Sequence, residues 1–248
     1  MRFRHNRARL ATPLHNGNGL LAALPPADFK LLAPHLKKIS FEFNAVLVRS
    51  GDELKQVYFP LNGAIAFLVE MSDGLVVAST LMGSEGAVGA LSILSPSRSP
   101  ITATAYVAGA ALQVPVSQLQ LAFEQSTTVR RVLRLHLRTQ LMQLNNAAAC
   151  NAVHPVHCRM ARWLLELRDR TTDNRIQLTQ EALAQLLGVR RTTVTLTMAR
   201  LRAAGCISSD GRGMLEVNRG RLEKMACECY AVMRDRVKHM YDEELVAA

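Results

Sequence analysis

Apolar and polar positions change rhythm twice along the chain. Near the start, Leu20, Leu21, Leu24, Phe29, Leu31, Leu32 and Leu36 come in short bursts broken by Pro25-Pro26 and Pro34, which predicts brief helical pieces. From residue 41 to 116 the runs become short and rich in β-branched and aromatic residues, at 41–48, 57–59, 64–71, 75–81 and 101–116. Ser50-Gly51-Asp52, Leu61-Asn62-Gly63, Ser72-Asp73-Gly74 and the stretch from Gly83 to Gly89 separate them. Closely spaced strands with glycine turns predict a small antiparallel roll or barrel, with Ser72-Asp73-Gly74 as a hairpin.

The second change follows Ser117. Between residues 127 and 153 there is neither glycine nor proline, and Leu133, Leu137, Leu141, Leu144 and Ala148 recur at helical spacing. Val132, Leu135 and Met142 form a parallel stripe. Two stripes imply two buried faces, one against the β domain and one against a second copy of the helix, so Leu133, Leu137, Leu141, Leu144 and Ala148 are the expected dimer seam. Pro155 ends the helix and opens the next unit, whose first helix, from about 156 to 170, presents Met160, Trp163, Leu164 and Leu167 on one face. The predicted organisation is α+β: a tail at 1–16 read as disordered, a β-roll at 17–125, a dimerisation helix at 126–154 and a further domain at 155–248.

Charge sharpens this picture. Residues 1–16 hold four arginines and no acid, 17–125 six basic against eight acidic residues, and 126–248 twenty basic against twelve acidic. A basic half beside a near-neutral one fits a polyanion partner. The basic N-terminus is followed by no apolar signal region, and no run approaches a membrane span, so a cytoplasmic protein without a membrane partner is expected.

The segment from Leu178 to Arg202 carries the most specific pattern. Thr179 is placed to cap a helix whose first turn holds Glu181 and whose apolar face is Leu183, Leu186 and Leu187. Ala184 is small where helices must approach closely, Gly188 ends the helix, and Val189 and Val194 turn back inward. This is helix-turn-helix spacing. The second helix would present Arg190, Arg191, Thr192 and Thr195 outward, and arginine there can bond guanine O6 and N7 together. Two runs at 207–209 and 214–217 flank Asp210-Gly211-Arg212-Gly213 and read as a two-stranded wing with Arg212 at its tip.

From Asn18 to Tyr230 the chain resembles the Crp/Fnr family of bacterial regulators, with Gly188-Val-Arg-Arg-Thr-Thr-Val-Thr matching the start of that family's recognition helix. The resemblance implies a β-roll related to cyclic-nucleotide-binding domains, a long dimerisation helix and a winged helix-turn-helix. It also implies sequence-specific DNA-binding transcriptional regulation, a homodimer on near-palindromic double-stranded DNA, and RNA polymerase as a partner. It places Arg191 on the base-reading arginine, and Thr179 and Thr193 on phosphate-contacting positions. Two departures stand out: Thr192 occupies a position often held by a base-reading glutamate, and Arg190 replaces the usual capping hydroxyl. The stretches from Ala147 to Asn151 and on to Asp169-Arg170, and Ala226-Cys-Glu-Cys-Tyr230, resemble a subgroup of unassigned effector.

The sensor half lacks the family's known ligand chemistry. The ribose-binding glutamate position falls on Ala90 and the phosphate arginine position on or near Ile101, with Arg98 nearby in a Ser/Pro-rich loop. An apolar side chain cannot replace a charge-assisted phosphate contact, which argues against cyclic AMP. No cysteine precedes Cys150, so an N-terminal iron–sulfur cluster is absent. No cofactor is expected. Haem stays open, with His35, His136, His154 or His157 as candidate ligands, and so does oxidant sensing by Cys150 or Cys158. Cys227 and Cys229, two apart, would face opposite ways on one helix, so no metal site is expected. With no phosphate loop, metal cluster or nucleophile elbow, the chain does not read as an enzyme. The reading from another class is a nucleotide-binding regulatory subunit acting on a protein partner.

Overall fold

A computed structural model describes residues 17–95, 98–171, 174–209 and 213–246, with side chains up to residue 238. The basic tail at 1–16 and the wing tip with Arg212 lie outside the described residues.

The first helical pieces are α1 (Gly19–Ala22) and α2 (Pro26–Leu32), followed by a 3-10 turn at Ala33–His35. The strands β1 (Lys37–Phe41), β2 (Val46–Val48), β3 (Gln56–Pro60), β4 (Ala64–Glu70), β5 (Val76–Met82), β6 (Thr102–Val107) and β7 (Gly109–Pro115) form two facing antiparallel sheets. One sheet runs β1-β7-β3 and the other β2-β6-β4-β5. β4 and β5 make the expected hairpin, with Asp73 Oδ1 accepting from Leu75 N at 3.0 Å and Gly74 in the left-handed region at φ 82°.

Two predicted strands divide. The run at 41–48 is the end of β1 and all of β2, broken at Asn44, which takes a positive φ of 66°. The run at 101–116 is β6 and β7, which belong to different sheets, so the chain turns a corner at Ala108. Gly109 is required there because a Cβ would lie 2.5 Å from the Asn62 carbonyl oxygen.

The α3 helix (Val116–Gln125) leads into α4 (Thr127–Val153), whose bounds are those expected. Ser126 starts α4: its Oγ accepts from Val129 N at 3.0 Å and donates to Asp28 Oδ1 at 2.6 Å. Then come α5 (Val156–Arg168), β8 (Arg175–Gln177), α6 (Gln180–Leu187), α7 (Arg191–Ala203), β9 (Ile207–Ser209), β10 (Met214–Val217), α8 (Arg219–Met225) and α9 (Cys229–Val246). The wing strands are those predicted, and β8, unforeseen, adds a third in the order β8-β10-β9.

One apolar cluster crosses from sensor to helix-turn-helix. Ala64, Ala66, Ala78, Leu81 and Tyr106 of the β2-β6-β4-β5 sheet pack with Leu183, Leu186, Leu187 and Val194. This explains why β4 is buried on both faces along Ala64–Leu68: one face meets the roll interior and the other the α6 helix.

Candidate nucleic-acid interface, sensor cavities and a cysteine–histidine cluster

The reading head is built as its sequence requires. Thr179 Oγ1 accepts from Ala182 N at 3.0 Å and so opens α6. Gly188 closes it at φ 62°, a conformation that costs glycine nothing, and Val189 N returns to Ala184 O at 3.2 Å. Val194, Met198 and Leu201 anchor α7, leaving Arg191, Thr192, Thr195, Leu196 and Arg200 exposed. Arg190 precedes α7 without a side-chain cap, as its replacement of a hydroxyl residue implied. Arg191 is tied to Glu181 of the first helix through two guanidinium nitrogens, so Glu181 both suits the helix dipole and holds this arginine. Thr193 is half-buried, and Thr195 Oγ1 donates to Arg191 O at 3.1 Å.

The expected dimer stripe divides. Leu133 is a correction: it is 2% exposed within the chain's own core beside Leu119 and Val129, so it has nothing to offer a second chain. Leu137 packs partly against the same cluster, and Leu144 lines a cavity inside the sensor. Leu141, 60% exposed, and Ala148 do face outward, with Asn145 and Ala152 on the same side of α4. The first turns of the helix are covered by the sensor, and further along one face of α4, with Leu144, still meets the sensor while the face with Leu141 and Ala148 is exposed.

The sensor holds an apolar cavity of about 160 Å³ between the β2-β6-β4-β5 sheet and α4. Val48, Leu54, Phe67, Ala90, Ile101 and Leu144 are in its wall, and none of the lining residues is charged. Arg98, the cation nearest in sequence, is exposed and donates to Gly51 O at 2.8 Å. A second chamber of about 250 Å³ lies where β5, α4, α5 and α9 meet, with Thr80, Glu85, Gln143, Arg162, Arg170 and Tyr230 among its lining residues. Ser79 borders both. Nothing in the sequence pointed to the second chamber.

The ion pair beside that chamber joins the two halves of the molecule. Glu85, in the turn after β5, pairs with Arg170 just beyond α5, and Arg170 also donates to Glu166 O at 2.7 Å. Burial pushes the Glu85 carboxyl up, but the charge and hydrogen bond of Arg170 outweigh it and hold the group below its ordinary value. His136, a haem candidate, is buried against the same turn with Nε2 3.2 Å from Ala87 O. Burial lowers its pKa to about 4, which keeps it neutral. His35 lies in the 3-10 turn after α2, and His157 is partly exposed on α5. Burial pushes the Cys158 thiol up, against the reading of Cys158 as a reactive thiolate.

The remaining haem candidate changes the reading of the cysteines. Cys227 lies between α8 and α9 and Cys229 opens α9, so the two are not on one helix and their thiols converge. With Cys150 and His154 at the end of α4, they bring their ligand atoms within 4.8 Å of one another. The expectation that Cys227 and Cys229 face opposite ways on one helix is therefore corrected: a chain turn between them brings the two thiols together. The subgroup motifs meet here. Arg159 bonds Asn151 at 3.0 Å, Tyr230 bonds Asp169 at 2.7 Å, and Arg219 bridges Asp169 and Tyr230.

Residues 38–126 match the profile of the cyclic nucleotide-binding domain, and residues 158–225 that of the Crp-like helix-turn-helix domain. The chain belongs to the Crp/Fnr family. It is a DNA-binding transcriptional regulator with a winged helix-turn-helix. Among relatives, it is 26% identical over 215 residues to the CRP-like cAMP-activated global transcriptional regulator of Mycobacterium tuberculosis, covering 84% of this chain and 96% of that protein. It is 25% identical over 179 residues to the global nitrogen regulator of a Nostoc species, covering 68% and 80%. Among solved structures, a Crp/Fnr regulator from Eubacterium rectale superposes with a TM-score of 0.68 at 17% identity, covering 85% of this chain and 98% of that one. FixK2 from Bradyrhizobium japonicum gives 0.66 at 20%, covering 77% and 98%. These likenesses fix the fold. No helix of the described residues is long and apolar enough to cross a membrane.

Proposed function

We propose that this Crp/Fnr regulator binds a near-palindromic operator as a homodimer, joined along the exposed strip of α4 around Leu141 and Ala148. Two recognition helices would enter successive major grooves about 34 Å apart. Arg191 reads a guanine. Thr179, Thr193 and the wing-tip Arg212 contact the backbone, and Arg190, Thr192 and Thr195 complete the contact face. The observation that carries this is the place of Arg191, 66% exposed at the first turn of α7, with its guanidinium held at the surface by Glu181.

The signal enters through the sensor, and the wall of its inner cavity disfavours cyclic AMP. Ala90 and Ile101 both line that cavity and put no charge where a phosphate would need one. RNA polymerase is the partner through which such a regulator would act.

The test is competition binding on operator DNA selected from a random pool. Arg191→Ala is expected to cost about 1–3 kcal/mol on the selected site and to relax preference at one position of each half-site. An equal loss on selected and random DNA would make Arg191 a backbone contact and move base reading to Arg190 or Thr192.

A further inference from the structure

We propose that Cys150, His154, Cys227 and Cys229 form a four-coordinate site for a single zinc ion, which ties the end of α4 to the start of α9. The donor set is three soft thiolates and one imidazole, which suits zinc in a closed structural site. Cys150 and His154 are four residues apart at the last turn and cap of α4, so they share a helix face. Cys227 and Cys229 arrive from the turn between α8 and α9.

The spacing fits one ion. Tetrahedral zinc with bonds of about 2.3 Å to sulfur and about 2.0 Å to nitrogen separates two sulfurs by about 3.8 Å and a sulfur and nitrogen by about 3.5 Å. Cys150 Sγ and Cys227 Sγ are 3.6 Å apart, and Cys229 Sγ and His154 Nδ1 are also 3.6 Å apart. A four-iron cluster, whose cysteines bind separate irons, needs a wider cage. A disulfide between Cys150 and Cys227 would need the sulfurs to close to about 2.05 Å.

The surroundings fit as well. His154 turns its other nitrogen, Nε2, to Glu228 Oε1 at 3.2 Å, the carboxylate–imidazole arrangement that fixes the tautomer of a ligating histidine. Three thiolates on a divalent ion leave one negative charge. Arg159 and Arg162 stand close enough to act electrostatically on Cys150 and Cys227, and Arg162 Nε and Nη2 are buried with no hydrogen-bond partner among the described residues. The cysteines are buried, whereas His154 is 19% and Glu228 70% exposed, so an ion has an entry path on that side.

The full chain, purified without chelator under reducing conditions and assayed for metals by mass spectrometry, is expected to carry about one zinc per chain. Cys227→Ser and Cys229→Ser should lose it, whereas Cys158→Ser and Cys206→Ser keep it. Cys229→His preserves a four-ligand set and should retain the ion, which separates loss of a ligand from loss of fold. Cobalt replacing zinc should give thiolate-to-metal charge transfer and the bands of a tetrahedral ion, and Cys229→His should remove about a third of the charge-transfer intensity. Glu228→Gln should weaken zinc roughly 10-fold or more in chelator competition. Several results would overturn the proposal: a chain empty after incubation with zinc, zinc retained in both serine variants, iron with sulfide at the site, or a Cys150–Cys227 disulfide in protein kept reduced.

Discussion

Replacing Arg170 with methionine keeps the aliphatic stem and deletes the charge that Glu85 faces across the sensor and DNA-binding halves. The two side chains are 15% and 28% exposed, so the pair is shielded but not sealed. Breaking a fully buried pair costs about 3–5 kcal/mol and an exposed one about 0–1, which places Arg170→Met near 2–3 kcal/mol. Glu85→Gln should cost less, about 1–2 kcal/mol, because Arg170 keeps its bond to Glu166 O. The double variant should cost less than the two singles together by about 1.5 kcal/mol or more. Urea unfolding at neutral pH reads all three. If Arg170→Met costs the same with glutamate or glutamine at position 85, the pair does not couple the halves and the argument fails.

His136 folds neutral with a pKa near 4 against an ordinary 6.5, so its contribution is complete above pH 6.5 and is lost as pH falls toward 4. That amounts to about 3 kcal/mol, and His136→Phe should flatten the stability profile in that window; an unchanged profile would refute it. Leu141→Asp, at the exposed strip of α4, should turn a dimer into a monomer in sedimentation, and a mutant that stays dimeric would move the interface elsewhere. Titration calorimetry with cyclic AMP should show weak or no binding, and a dissociation constant in the low micromolar range would overturn the reading of the apolar cavity.

Much of the fold was legible because its signals are local. The α4 helix was legible because a proline closes a stretch free of breakers, whereas the capping role of Ser126 emerged only in the structure. The helix-turn-helix followed from Thr179, Gly188 and the spacing of Val189 and Val194, and the wing strands from the two runs that flank the Asp210-Gly211-Arg212-Gly213 turn signal. What stayed hidden depends on long-range closure. The corner at Ala108 sits inside an unbroken apolar run, and periodicity cannot see a chain changing sheets. Leu133 and Leu141 look alike in sequence, and only the packing of the sensor on α4 buries the first and leaves the second exposed. Glu85 and Arg170 are far apart in sequence, as are Cys150 and Cys227. Only the turn ahead of α9 lets Cys227 and Cys229 converge. The two subgroup motifs were visible as strings, and their meeting in space was not.

The apolar cluster running from Ala78 and Leu81 into Leu186 and Val194 sets a threshold for any switch. Swinging the reading head away from the sensor exposes part of that cluster to water. Uncovering only about 100 Å² of it costs about 2.5 kcal/mol. A signal must then favour the reoriented state by at least that much, which means binding it about 70-fold more tightly than the docked one. Weaker discrimination leaves the docked arrangement dominant, so this sensor responds to ligands that tell its two arrangements apart rather than to those that merely bind well.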